Sequence, residues 1–241
     1  TNGKKLSKRD GAVACDHYKS QGYLPEAVIN YIALLGWNDG SEQEIFSTQE
    51  LIEKFSLNRL NSSSPIFDAK KLTWINSKHI QNISAKKLWQ NLSGYLDAKA
   101  IPSNYPTNWG ELFSQAFAEN FNTLLDAEQL FQLLTVKQLN FQAGTEVLLW
   151  ENSIQVISLW LQELESLTTE QADAEWLAAS TKKIQNTINI KGKLLFMPLR
   201  VAMLSQSQGA ELKLLVKLLP KQTLINRAKD CLSYCKELSC T

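Results

Sequence analysis

The chain has 241 residues, 44% apolar and 20% charged, with a formal net charge of +1. That is the composition of a globular protein with room for two or three small domains, and it excludes low-complexity and collagen-like classes. No run reaches the roughly eighteen apolar residues of a membrane span. Thr1-Asn2-Gly3-Lys4-Lys5 is polar and basic with no apolar stretch behind it, unlike a signal peptide, so a cytoplasmic setting is expected.

Helical periodicity dominates. Leu24-Pro25-Glu26 opens a helix through Ala27, Val28, Tyr31, Ile32, Leu34 and Leu35, closed by Gly36. Proline in a first turn and glycine after a last one are helix punctuation. Ser47-Thr48-Gln49-Glu50 reads as a capping box ahead of Leu51, Ile52 and Phe55. Asp68 is placed to cap a helix over 69–75, and Ser84 one carrying Leu88, Trp89, Leu92 and Leu96. After Ile101-Pro102, helical spacing resumes at Leu112, Phe113, Ala116 and Phe117, then at Leu130, Phe131 and Leu134. One long apolar helix is expected from Glu146 to Glu165, and two last helices flank Pro220. Alternating strand patterns are nearly absent, so the fold class is all-α, built from short antiparallel helices. Trp and Phe at these positions are expected in the core.

Charge is unevenly spread along the chain. Residues 1–99 balance at +3, residues 100–180 at −10 and residues 181–241 at +8. A basic end attracts polyanions, but a charge run is also the ordinary solvated face of a helix. Cys231 and Cys235 lie one helical turn apart. With only His17 and His79 in the chain, a metal site is not expected, and ordinary reduced thiols are. Cys15 and His17, with Asp16 between them, point apart on a helix and do not suggest a nucleophile and its base.

The sharpest feature is Lys5-Leu6-Ser7-Lys8-Arg9. Two ammonium groups with a hydroxyl between them suit a loop that clamps phosphates. Alone the motif is weak, since a general polyanion patch or a solvated terminus reads the same way.

These five residues resemble the second signature of class I aminoacyl-tRNA synthetases, in the form common among glutamyl enzymes. The likeness continues through Gly22-Tyr23-Leu24-Pro25-Glu26-Ala27, Leu34-Leu35-Gly36-Trp37 and Glu44-Ile45-Phe46-Ser47. It extends further through Phe67-Asp68-Ala69-Lys70-Lys71-Leu72-Thr73-Trp74-Ile75-Asn76, Lys191-Gly192-Lys193 and Met197-Pro198-Leu199-Arg200-Val201-Ala202. The chain therefore resembles the C-terminal part of bacterial-type glutamyl-tRNA synthetases. The block after Ala202 departs from the family, with Met203-Leu204-Ser205 where Leu-Thr-Gly is usual.

The resemblance implies a stem-contact domain over 1–80 and helical anticodon-binding domains over 81–143 and 144–241, with the nucleotide-binding catalytic fold lying before residue 1. In the full enzyme it implies glutamate activation with ATP and Mg²⁺ and transfer of glutamate to a tRNA. Lys8 would be the leading ATP phosphate contact, Lys5 would assist, Ser7 would shape the loop, and Arg9 would matter less. The partner would be tRNA(Glu). Absence of an arginine in Glu119-Asn120-Phe121-Asn122 is compatible with relaxed specificity towards tRNA(Gln), as in plastid relatives. The alternative is a stand-alone helical tRNA-binding module without ligase activity, and in either case a monomer is expected. Backbone contacts are expected at Lys70, Lys71 and Lys78, and at Lys191, Lys193, Arg200, Lys221 and Arg227. Base contacts are expected from amides and aromatics such as Asn120, Asn122 or Trp109.

Overall fold

The computed structural model describes residues 15–61 and 65–239. Among them no strand forms; two isolated bridges, Trp37 with Leu60 and Gln171 with Pro220, are the only extended pairings. The expected all-α class holds. Two compact units emerge, residues 1–96 with 118–128, and residues 97–117 with 129–241. The chain thus passes from one unit to the other and back.

The first unit holds α1 (Cys15–Ser20), α2 (Pro25–Gly36), α3 (Thr48–Lys54), α4 (Ala69–Asn82) and α5 (Ala85–Leu92). Pro25 stands at the start of α2, where its missing N–H costs nothing. Both arms of the Ser47–Glu50 capping box form, and Asp68 accepts from Lys70 N and Lys71 N. With that cap α4 runs on to Asn82, past the 69–75 expected.

Packing in this unit centres on α2 against α4. Trp37, Phe46 and Leu51 form a buried cluster with Ala33 and Leu34 against it. Two buried asparagines do what apolar packing cannot, because hydrogen bonds have direction. Asn30 donates to Glu44 O at 3.1 Å and accepts from Phe46 N at 2.9 Å. Asn76 accepts from Leu24 N at 2.8 Å and donates to Asn122 O at 2.6 Å. That second hub ties the 118–128 segment to α4 and the α1–α2 turn. Gly22, at φ +77°, lies in the same junction, where Leu124 N donates to its carbonyl at 2.9 Å. A Cβ at Gly22 would stand 2.9 Å from both Leu124 N and Leu125 N, so only glycine fits.

The second unit holds α6 (Trp109–Phe117), most of α7 (Ala127–Thr135), α8 (Thr145–Leu148), α9 (Ser153–Ser166), α10 (Ala174–Ile188), α11 (Lys193–Leu204), α12 (Leu212–Leu218) and α13 (Lys221–Ser239). Its centre is α9, which packs on α13, α11 and α10. The single long helix expected over 146–165 is broken into α8 and α9. Ser153 Oγ donates to Val147 O at 2.6 Å, offering the backbone a local partner in place of the helical ladder. Trp109 and Trp160 are fully buried, as expected of core aromatics.

Candidate nucleic-acid interface

Asp68 starts α4 so that Lys70, Trp74 and Ser77 follow at i, i+4 and i+7 along one face. The opposite face, with Leu72, Ile75 and Ile80, is buried. On the outward face a niche of about 350 Å³ is lined by Ala69, Lys70, Thr73, Trp74, Ser77 and Asn122. Trp74 stays 41% exposed. Asn122 is held from both sides of its main chain: its N–H donates to Asp126 Oδ2 at 2.7 Å, and its carbonyl accepts from Asn76. Its side chain is left at the surface on a fixed backbone. Thr73 donates to Ala69 O at 2.9 Å and lies 2.8 Å from the Tyr23 hydroxyl. An ammonium, an aromatic face and a positioned amide thus share one small concavity. That combination accommodates a phosphate, a stacked base and a base edge.

In the second unit α10 presents Ala174, Leu177, Ala178, Thr181, Lys182, Gln185 and Asn186 along one side. With Phe196 and Arg200 of α11 and the start of α12, they enclose a cleft of about 750 Å³. Phe196 is 42% exposed. Arg200 donates from Nη1 to Ala210 O, and burial pulls its pKa below the ordinary guanidinium value. Lys191 and Lys193 flank Gly192, the cap of α11 at φ +63°, and both are exposed. They add two charges to the positive end of the helix.

The expected contacts separate into three groups. Lys70, Asn120, Asn122, Lys191 and Lys193 are exposed. Lys71, Lys78, Arg200 and Lys221 are half-buried and already engaged: Lys71 with Glu44 at 2.5 Å, Lys78 with Gln81 Oε1 at 3.1 Å, Arg200 with Ala210 O, and Lys221 with the carbonyls of Glu165 and Leu167. Arg227 and Trp109 are corrections. Arg227 is only 1% exposed and donates to the carbonyls of Leu133, Leu134, Val136 and Met203, so no phosphate reaches it. Trp109 is buried, with Nε1 donating to Leu218 O at 3.0 Å, so no base stacks on it. Lys5, Ser7, Lys8 and Arg9 lie outside the described residues. Trp74, Phe196, Lys182, Gln185 and Asn186 are additions. Only the spacing of Trp74 four residues after Lys70 hints at the first of these.

The family model for the anticodon binding domain matches residues 78–232. The chain belongs to that family. Ahead of this anticodon-binding region, residues 1–74 match the model for the class I tRNA synthetase catalytic domain of the E and Q type. The chain is 36% identical over 231 residues to a glutamate–tRNA ligase of Bdellovibrio bacteriovorus, covering 95% of this chain and 47% of that protein. It is 35% identical over 236 residues to the corresponding ligase of Geobacillus stearothermophilus, covering 95% and 48%. The chain therefore spans about half the length of the curated relatives it matches. A solved structure of a glutamate tRNA ligase from Elizabethkingia meningosepticum shares the fold at TM-score 0.78 and 21% identity, over 95% of this chain and 48% of that one. The expected family is thus the one found, and the chain corresponds to the C-terminal part of its members.

Proposed function

We propose that this anticodon-binding chain is the tRNA-binding part of a glutamate–tRNA ligase, and that the α4 niche and the α10–α11 cleft are its RNA contacts. The observation that carries the reading is the convergence of Lys70, Trp74 and Asn122 in one concavity of the first unit. Trp74 leaves 41% of its surface open to solvent in the concavity it shares with Lys70 and Asn122, area that is free for a stacked base. Stacking of an unpaired base on such a ring contributes about 1–3 kcal/mol. Trp74→Ala is accordingly expected to weaken tRNA binding by about that amount, measured under conditions where the variant is folded. Filter binding of tRNA(Glu) transcript, with urea denaturation of the same variant, checks it. Unchanged affinity would remove the niche from the interface. Competition by tRNA(Gln) transcript tests the relaxed specificity.

In the complete enzyme the substrates would be glutamate, ATP and tRNA, with Lys8 meeting the ATP phosphates, Lys5 assisting, Ser7 shaping the loop and Arg9 contributing less. Lys8→Ala in the full-length ligase is expected to slow adenylate formation by about 2–4 kcal/mol of activation free energy and to spare tRNA affinity. Single-turnover activation kinetics distinguish this from a solvated lysine, which would leave the rate unchanged. No three His, Cys, Asp or Glu side chains come together as a metal site among the described residues. No helix among them is long and apolar enough to cross a membrane.

A further inference from the structure

Arg227, on α13, is buried, and its hydrogen-bond partners among the described residues include no carboxylate. Its Nη1 donates to Met203 O at 2.6 Å, in the last turn of α11. Its Nη2 donates to Leu133 O, Leu134 O and Val136 O at 2.9, 3.0 and 3.3 Å, at the end of α7. The cation therefore sits at the negative ends of two helices, where their last carbonyls, with Leu134 O also accepting from the Tyr105 hydroxyl at 2.9 Å, and the helix dipoles compensate its charge. Burial lowers its pKa to about 10, still well above neutrality, so it remains a cation.

We propose that Arg227 is a positioning residue for the α10–α11 cleft: its planar fork sets the axial position of α11, and hence where Phe196 and Arg200 stand. The apolar side of α11, including Leu195, Leu199 and Met203, is buried, but apolar packing is non-directional and fixes axial register weakly. Two nitrogens held in one plane and addressing two helices do fix it, and a lysine ammonium has no such fork. The proposal rests on the reading of that cleft as an RNA contact.

The test uses the 241-residue chain, an RNA hairpin bearing the glutamate anticodon loop, and a temperature at which circular dichroism shows every variant folded. Arg227→Met and Arg227→Lys are both expected to lower hairpin affinity by about ten- to a hundredfold, as small misplacements of binding groups do. Phe196→Ala should weaken binding in the wild-type chain and add little in Arg227→Met, since both act through α11. Wild-type affinity in Arg227→Lys, or additive losses in the double variant, would each overturn the proposal. Failure of the wild-type chain to bind the hairpin would overturn the RNA reading instead. Amide exchange along the last turn of α11 then decides the positioning alone: acceleration in Arg227→Met supports it, and unchanged exchange overturns it. If Arg227→Met does not fold, Arg227→Lys carries the same comparison.

Discussion

His79 Nε2 lies 2.9 Å from Asn30 Oδ1, and that oxygen already accepts from Phe46 N. The imidazole must therefore donate from Nε2, which fixes the tautomer from the geometry of its neighbour. Burial pulls the His79 pKa below 6.5, partly opposed by Glu26. A base whose folded pKa is depressed is neutral in the native state, while the unfolded chain takes up the proton first as pH falls. Its stabilising contribution is complete above the unfolded pKa of about 6.5 and diminishes as pH falls below that value. Urea midpoints are expected to drop from about pH 8 to about pH 5, and His79→Gln, which keeps a donor, should flatten that part of the profile. Asn76→Ala leaves Leu24 N and Asn122 O without their partner in the interior. The cost is expected to be about 2–4 kcal/mol by chemical denaturation. Neither asparagine hub is legible in the sequence, because its partners lie as far as 52 residues away. The caps at Ser47 and Asp68 are legible because donor and acceptor are three residues apart or fewer.

Among the elements, the helices with strong local punctuation stand where the sequence puts them. Pro25 and Gly36 bound α2, and Ser84 caps α5 by accepting from Lys87 N at 3.3 Å. The break between α8 and α9 is hidden, since the apolar spacing continues across it while Ser153 turns back to Val147 O. The close approach of α8 and α11 is hidden too. A Cβ at Gly144 would lie 2.3 Å from Val201 Cγ1 and 3.3 Å from Ser205 O. Val201 is fully buried and has no space to retreat into. Gly144→Ala is therefore expected to destabilise by about 1–3 kcal/mol, the usual penalty of overpacking, visible as a lower urea midpoint. Val201→Ala in the same chain should recover part of that stability by vacating the contested volume, at the expense of the packing its own methyl groups provide.

On the scale of the molecule, the segregation of charge along the sequence does not survive folding. The acidic stretch over 100–180 and the basic end share one compact unit, apart from residues 118–128. Counted by unit, the first carries twelve basic and twelve acidic residues and the second thirteen and twelve. Lys183 pairs with Glu163 at 2.9 Å, Lys229 with Glu165 at 2.9 Å, and Lys221 reaches carbonyls on the same segment. Charge counted by segment suggests a phosphate track where the fold makes internal pairs. It therefore overvalues Arg227 and Lys221 and passes over the neutral residues around Trp74 and Phe196. Lys191 and Lys193 differ from the paired lysines: both are exposed, and neither forms an ion pair among the described residues. Reversing both to Glu is expected to weaken tRNA binding and to lower the slope of log affinity against log salt. Every phosphate that goes without its cation takes roughly 0.7–0.9 off that slope. Reversing Lys183 and Lys229 breaks two ion pairs that are largely solvated, so stability should fall by no more than about 1 kcal/mol each, with the salt slope little changed. Affinity titrations of the two double variants at about 50 and 200 mM salt make the comparison. Equal slopes for both would mean that phosphates are met by overall charge rather than by the lysines at the start of α11.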